Sequence, residues 1–358
     1  MKLNRFPIPF LFLAILGLLA ALWAGLMRLG WQLPALTPSL AMLHGPVMIS
    51  GFLGTLITLE RAAAMKQKWM YAPPLLSGLG WLLAAILPNL PLGVILLTLA
   101  SLGGAAILTE IVRREFAPHT VTMFLGSLAW LTGNLLWMFG WQIYQVVFFW
   151  MAFLVLTIAG ERLELSRVLR PTQMQQILFG IIVGIFITGV VAALFNLQLG
   201  ARLSGLGLLL LPLWSLRNDI AWRNLRHKLP LTRYIAWCLA FGLIWLGISG
   251  GLSLGFGAQA AGPRYDAVLH AVFVGFVISM IFGHAPIIFP ALLGIPINFQ
   301  PAFYFHLVLL HVSLLARIIA DYTNQSALRM WGGLMNEVAI LIFIAMTVYS
   351  VRKGMQAG

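Results

Sequence analysis

The chain has 358 residues, 61% of them hydrophobic and only 9% charged, with a mean hydropathy of +0.96, a balance that excludes an ordinary soluble domain. The formal net charge of +13 does not indicate a nucleic-acid partner, because no basic segment outside the apolar runs is long enough to fold.

The apolar runs are continuous rather than alternating, so the expected membrane-crossing elements are helices and not barrel strands. Windows of about 19 residues predict twelve spans, near 7–28, 37–59, 71–88, 91–111, 118–139, 141–160, 174–196, 200–216, 231–253, 265–290, 301–321 and 329–351. The first follows Lys2 and Arg5 and imitates a signal peptide, but its apolar stretch is too long and a second span follows at once, so it reads as a retained helix. Turns are marked by Pro88-Asn89-Leu90-Pro91, Gly140-Trp141-Gln142, Gly262-Pro263 and Ile295-Pro296-Ile297-Asn298. One transmembrane domain over 1–358 is expected, with 217–230 as a basic cytoplasmic connector. Leu59-Glu60-Arg61 closes the second span and Gly160-Glu161-Arg162 the sixth, a hint of repeated four-helix units.

With the N-terminus inside, 17 of the 22 basic residues fall at inner span ends, and Arg28, Arg202, Arg264, Arg317 and Arg329 at outer ones. This asymmetry predicts a multi-pass protein of the plasma membrane with both termini cytoplasmic. The single cysteine, Cys238, excludes an internal disulfide and a cysteine-rich metal site.

Five of the seven histidines lie inside apolar runs, where an imidazole is costly unless paired, wetted or bound. His44 and His270 fall five to seven residues into the second and tenth predicted spans, roughly 8–10 Å from the outer face. Equal depth on two helices suits bis-imidazole haem. Met48 follows His44 by one turn, Gly45, Gly51 and Gly275 offer close approach to a flat macrocycle, and Arg264 is a cation for a propionate. The rival reading gives each histidine a hydrogen bond to a neighbouring helix.

His284 follows His270 by fourteen residues, about 1400° and 21 Å in a regular helix, within about 40° of the same face. His306 reaches the same inner depth on the next span, with His311 five residues on; a copper or iron site and a proton relay are both compatible with this set. Glu337 is the most isolated intramembrane carboxylate and is a candidate for proton transfer. Arg317 and Asp321 are spaced to pair along one helix.

The segment His44-Gly45-Pro46-Val47-Met48-Ile49-Ser50-Gly51-Phe52, with His270-Ala271-Val272-Phe273-Val274-Gly275 and Gly283-His284, resembles NnrS-like membrane proteins, which are distantly similar to haem–copper oxidase subunit I. The resemblance implies an all-α fold of about twelve spans with oxidase-subunit-I-like architecture, a bacterial inner-membrane location, haem b and possible copper, and a tie to nitric oxide. It makes His44 and His270 low-spin haem ligands. The sequence has no adjacent His-His pair, no second histidine close to His270, and none in spans six and seven. The oxygen-reducing centre is therefore not expected. The leading expectation is a haem-binding membrane protein, possibly with copper, in redox chemistry or the response to a diatomic gas. Proton-coupled secondary transport, metal or haem export, and assembly of respiratory complexes are the alternatives.

Overall fold

A computed structural model describes residues 4–294 and 299–356. Lys2 and the turn Ile295-Pro296-Ile297-Asn298 lie outside the described residues. Among the described residues, twelve helices are long and apolar enough to cross a membrane: α1 Ile8–Leu29, α2 His44–Met65, α3 Lys68–Ile86, α4 Leu92–Arg114, α5 Pro118–Met138, α6 Ile143–Leu169, α7 Gln173–Ala192, α8 Leu197–Asn218, α9 Pro230–Phe256, α10 Pro263–Leu293, α11 Phe303–Thr323 and α12 Ser326–Lys353. The protein is all-α and polytopic. By contact the described residues group into two compact units, one holding 4–153 and 291–294 and the other 154–290 and 299–356.

One boundary differs in a way that matters. The second span was expected from residue 37, but Pro34 and Pro38 keep the chain out of helix and residues 38–43 form turns. His44 is therefore the first residue of α2, not one buried several residues along it. His270 closes the first eight residues of α10. A π-helical stretch follows each, Val47–Leu53 three residues after His44 in α2 and Ala271–Ile278 directly after His270 in α10. Such widened turns are rare and recur at functional sites.

The N-terminal unit is assembled by tryptophans set into glycine slots. A Cβ at Gly51 of α2 would lie 2.8 Å from Trp81, and one at Gly17 of α1 would lie 3.1 Å from the same indole. Trp130 fills the space beside Gly54 and Gly104 and stacks on Phe153 at 4.7 Å. Its Nε1 donates to Ser50 Oγ at 2.9 Å, Ser50 Oγ donates to Asn134 Oδ1 at 3.0 Å, and Trp150 Nε1 donates to that same oxygen at 2.9 Å. The Ser77 hydroxyl donates to the Ser50 carbonyl inside the π-helical stretch, so the polar groups at this widened turn are paired inside the unit.

In the C-terminal unit, small residues bring the backbones together, as expected where lipid supplies no hydrophobic drive between helices. A Cβ at Gly189 of α7 would collide with the backbone nitrogen of Ser204 in α8. Ser253 of α9 donates to the Ala201 carbonyl at 2.8 Å, and Ser249 to that of Val268 at 2.9 Å. At the basic end, the connector after α8 is not a free solvated loop. Asp219 caps a short helix, Ile220–Asn224, by accepting from Ala221 N at 2.8 Å. Its carboxylate also accepts from Arg162 of α6, through Nε at 2.9 Å and a second contact from the guanidinium.

Gly189→Ala is expected to destabilise the protein by ~1–3 kcal/mol through overpacking. Gly180→Ala, whose Cβ meets nothing within 4 Å, is expected to leave stability unchanged or slightly raised. Thermal unfolding of the purified protein in detergent checks the pair; equal melting temperatures would remove the packing argument.

Candidate functional site

The largest concentration of intramembrane charge lies where α10, α11 and α12 meet, away from the basic end. Arg317 of α11 holds Asp266 of α10 in a two-pronged ion pair, Nε to Oδ2 and NH2 to Oδ1, both 2.9 Å. The same guanidinium donates to His270 Nε2 at 3.3 Å. His270 Nδ1 faces the Asp266 carbonyl at 3.0 Å and its Oδ1 at 3.2 Å. His270 thus accepts at one nitrogen and donates at the other.

The expected pairing of Arg317 with Asp321 is not the one formed. Arg317 turns to the tenth helix, where Asp266 offers both oxygens in the fork geometry that a guanidinium fits. Asp321, 2% exposed, has Arg329 at 3.9 Å, and its carboxyl also meets that of Asp266. Asp266 and Arg317 also lie within electrostatic reach of it, and Glu337, 9% exposed, lies within that of Arg317. Three carboxyls, two guanidiniums and an imidazole thus share one site, with Arg317, Asp321 and Glu337 buried and Asp266, His270 and Arg329 partly exposed.

The other candidate histidines are anchored separately. His306 is fully buried; its Nε2 and the Tyr234 hydroxyl share a hydrogen bond of 2.9 Å, and Nδ1 has no partner. Phe282, Phe303 and Phe343 surround the ring at 4.7–5.7 Å. His311 accepts from Trp245 Nε1 at 2.9 Å, so its Nε2 carries the proton and donates to Ser279 Oγ at 3.3 Å. Both nitrogens are engaged, so as a metal ligand His311 does not fit this geometry. His284 turns Nδ1 to the Met280 carbonyl of its own helix at 2.7 Å. The expected inner pair, His284 and His306, is therefore fixed by different partners. Among the described residues no group of three or more His, Cys, Asp or Glu side chains could hold a metal ion.

In the N-terminal unit, His44 donates from Nδ1 to the Ala21 carbonyl at 2.7 Å. This fixes the tautomer and leaves Nε2 as the nitrogen carrying the lone pair, the usual orientation of a ligating imidazole. Gly45 has nothing within 4 Å of its Cβ direction, so the backbone beside His44 is open on one side. Met48 packs into the Ala21, Val47, Trp81 and Leu97 core instead of standing apart as a ligand. Gly51 is filled by Trp81 and Gly275 by Trp245 and Leu314. Those two glycines serve helix packing, not a macrocycle. Arg264 lies over the Phe256 ring at 5.1 Å, and His270 gives Nε2 to Arg317. As a haem ligand, His270 does not fit this arrangement.

Sequence reasoning missed Asp266, Tyr234, Trp245, Ser279 and Asp219. Asp266 carried a usable signal, since it precedes His270 by four residues on one helix. Tyr234 and Trp245 carried none, because their partners are 72 and 66 residues away.

Fold and site together define a polytopic all-α membrane protein with a buried, titratable charge cluster. The chain belongs to the family described as domain of unknown function DUF8744, whose pattern matches residues 5–352. No curated protein matches the sequence.

Asp266→Ala is expected to cost ~3–5 kcal/mol by leaving Arg317 buried without its carboxylate. Adding Arg317→Leu should recover much of that loss. Unfolding of the two single variants and the double variant measures the coupling; additive losses would show that the pair is not an energetic unit.

Proposed function

We propose that this is a proton-coupled membrane protein of the secondary-transport type, with the Asp266–His270–Arg317–Asp321–Arg329–Glu337 cluster as its proton-exchanging centre. The observation that carries the reading is the charge inventory. Two guanidiniums neutralise two carboxylates, and a third carboxylate sits in the same buried region. An uncompensated charge is costly there, so neutrality calls for one additional proton. A carboxyl oxygen takes it. The two guanidiniums stay charged at any ordinary pH, because guanidinium does not deprotonate. Ionisable groups inside a bundle, paired with one another, are the usual form of intramembrane proton sites. The excess of basic residues at one set of span ends supports a plasma-membrane protein with that side and both termini cytoplasmic.

Infrared difference spectroscopy across pH tests this directly. A protonated-carboxyl C=O band, shifted from that of water-exposed acids, should titrate in the wild type and be lost or displaced in Glu337→Gln and Asp321→Asn. Spectra in which neither variant alters any titrating band would end the proposal.

A second reading is favoured by the orientation of His44. Its tautomer supports ligation of haem b, with copper as a further candidate, in redox chemistry or the response to a diatomic gas such as nitric oxide. Under this reading His44 would hold the iron, and haem would supply the gas-binding or electron-transfer chemistry. Purified protein should then show a Soret band that weakens in His44→Ala. A colourless, folded wild-type preparation reconstituted with haem to no effect removes the reading.

A further inference from the structure

Four of the five buried polar side chains of the α11 helix lie in one stripe; the fifth, His311, lies about 140° round from His306 and faces Trp245. His306, Ser313, Arg317 and Asp321 lie within about 80° of one another and extend over roughly 22 Å in a regular helix. All four are at most 6% exposed, while Phe305, Val308 and Val312 on other faces are more than half exposed. The α12 helix answers with Asn336, Phe343, Thr347 and Ser350, whose spacing of seven, four and three residues also makes a single stripe. None of these is more than 9% exposed.

The two stripes face each other. Asn336 Nδ2 donates to the Leu310 carbonyl at 3.1 Å and to Ser313 Oγ at 2.7 Å. The Phe343 and His306 rings are 5.5 Å apart. Because the helices are antiparallel neighbours, Thr347 and Ser350 fall one to two turns nearer the basic end than His306, and Glu337 falls beyond it on the opposite side.

This seam also collects unpaired polar atoms. Four buried side-chain atoms without a hydrogen-bond partner belong to these two helices along the seam or its outer end: Ser350 Oγ, His306 Nδ1, Asn336 Oδ1 and Arg329 Nε. Each would cost about 1–3 kcal/mol if left dry. Such a series on facing stripes is hard to account for as packing, and polar groups of this kind are the ones that ordered water satisfies.

We propose that the α11–α12 seam is a hydrated polar file that carries protons between the basic end of the C-terminal unit and Glu337. This rests on the reading of the charge cluster as a proton-exchanging centre. Ser350 and Thr347 form the mouth. His306 is the relay: Nδ1 has no partner within the protein, and Nε2 shares a hydrogen bond with the Tyr234 hydroxyl, which also lies beside Cys238. Asn336 and Ser313 carry the file past the aromatic box to Glu337, which faces Arg317 and, through it, Asp266, His270 and Asp321. A proton taken up at the mouth ends on the carboxylate, and no other bond changes.

Single cysteines test the file in the full-length protein with Cys238→Ser as background. Ser350→Cys, Thr347→Cys and Asn336→Cys are exposed to a water-soluble methanethiosulfonate in membranes, with lipid-facing Leu341→Cys as the control (Leu341 is 44% exposed). Only a thiolate reacts, and a thiolate needs water, so the seam positions should label at least about tenfold faster than the control. His306→Phe should slow Asn336→Cys by a similar factor for reagent applied from the basic side and leave Ser350→Cys unchanged. Seam cysteines no faster than the control, or an Asn336→Cys rate indifferent to His306→Phe, would overturn the file. The Glu337 carboxyl band reports separately on the proton-exchanging centre, so a wet seam without a titrating band would instead defeat the reading on which the file rests.

Discussion

The Arg317–Asp266 pair is the interaction on which the rest of the C-terminal unit depends. A guanidinium cannot shed its proton, so a buried one must find a carboxylate or pull water inward. Once Asp266 has been taken with both oxygens, the other choices follow. His270 sits four residues along the same helix and is drawn in at both nitrogens. Asp321 loses the partner that its own helix offered and faces Arg329 at a longer distance. Glu337 becomes the carboxylate without a cation of its own. The titratable character of the site is therefore a consequence of where one guanidinium points.

Helix packing decides where such a site can exist at all. In the C-terminal unit glycine and serine let backbones approach closely, and in the N-terminal unit tryptophan rings occupy glycine slots. Both devices leave little room for a large planar group at those glycines. Two groups of buried polar residues are nevertheless treated differently. Ser50, Ser77, Trp130, Asn134 and Trp150 form a paired network, which rigidifies. The α11–α12 seam keeps several polar atoms unpaired, which is what a path requires and a scaffold avoids.

The class of fold was legible because it depends on a sum over many residues. Twelve apolar runs of sufficient length are a robust signal, and a few misplaced boundaries do not alter it. The error at the second span came from reading hydropathy through Pro38, which a window accepts more readily than a helix interior does. The site was legible only in its titratable members. His270, Arg317 and Glu337 stand out as costly residues in apolar runs, so their importance could be inferred. Their partners could not, because Asp266 lies 51 residues from Arg317 and a pairing at that separation is set by tertiary packing.

Regular-helix arithmetic failed for a more local reason. The argument that His270 and His284 share a face multiplies fourteen residues by 100°, but eight of the intervening positions, Ala271–Ile278, are π-helical. A wider turn advances each residue through a smaller angle, so the accumulated rotation falls short and the face assignment loses its basis. The same holds in α2, where Val47–Leu53 follows His44 and displaces every residue that a regular helix would have stacked below it. The widened turns have a structural return: Ser50 in one and Ser279 at the end of the other are placed to reach neighbouring helices, Ser279 donating to the Cys238 carbonyl at 2.7 Å and facing His311. What sequence spacing treated as a ladder of histidines down one helix is instead a set of imidazoles, each fixed by a different neighbour, and it is the straight stripe of α11, with no such interruption, that keeps its polar residues in register.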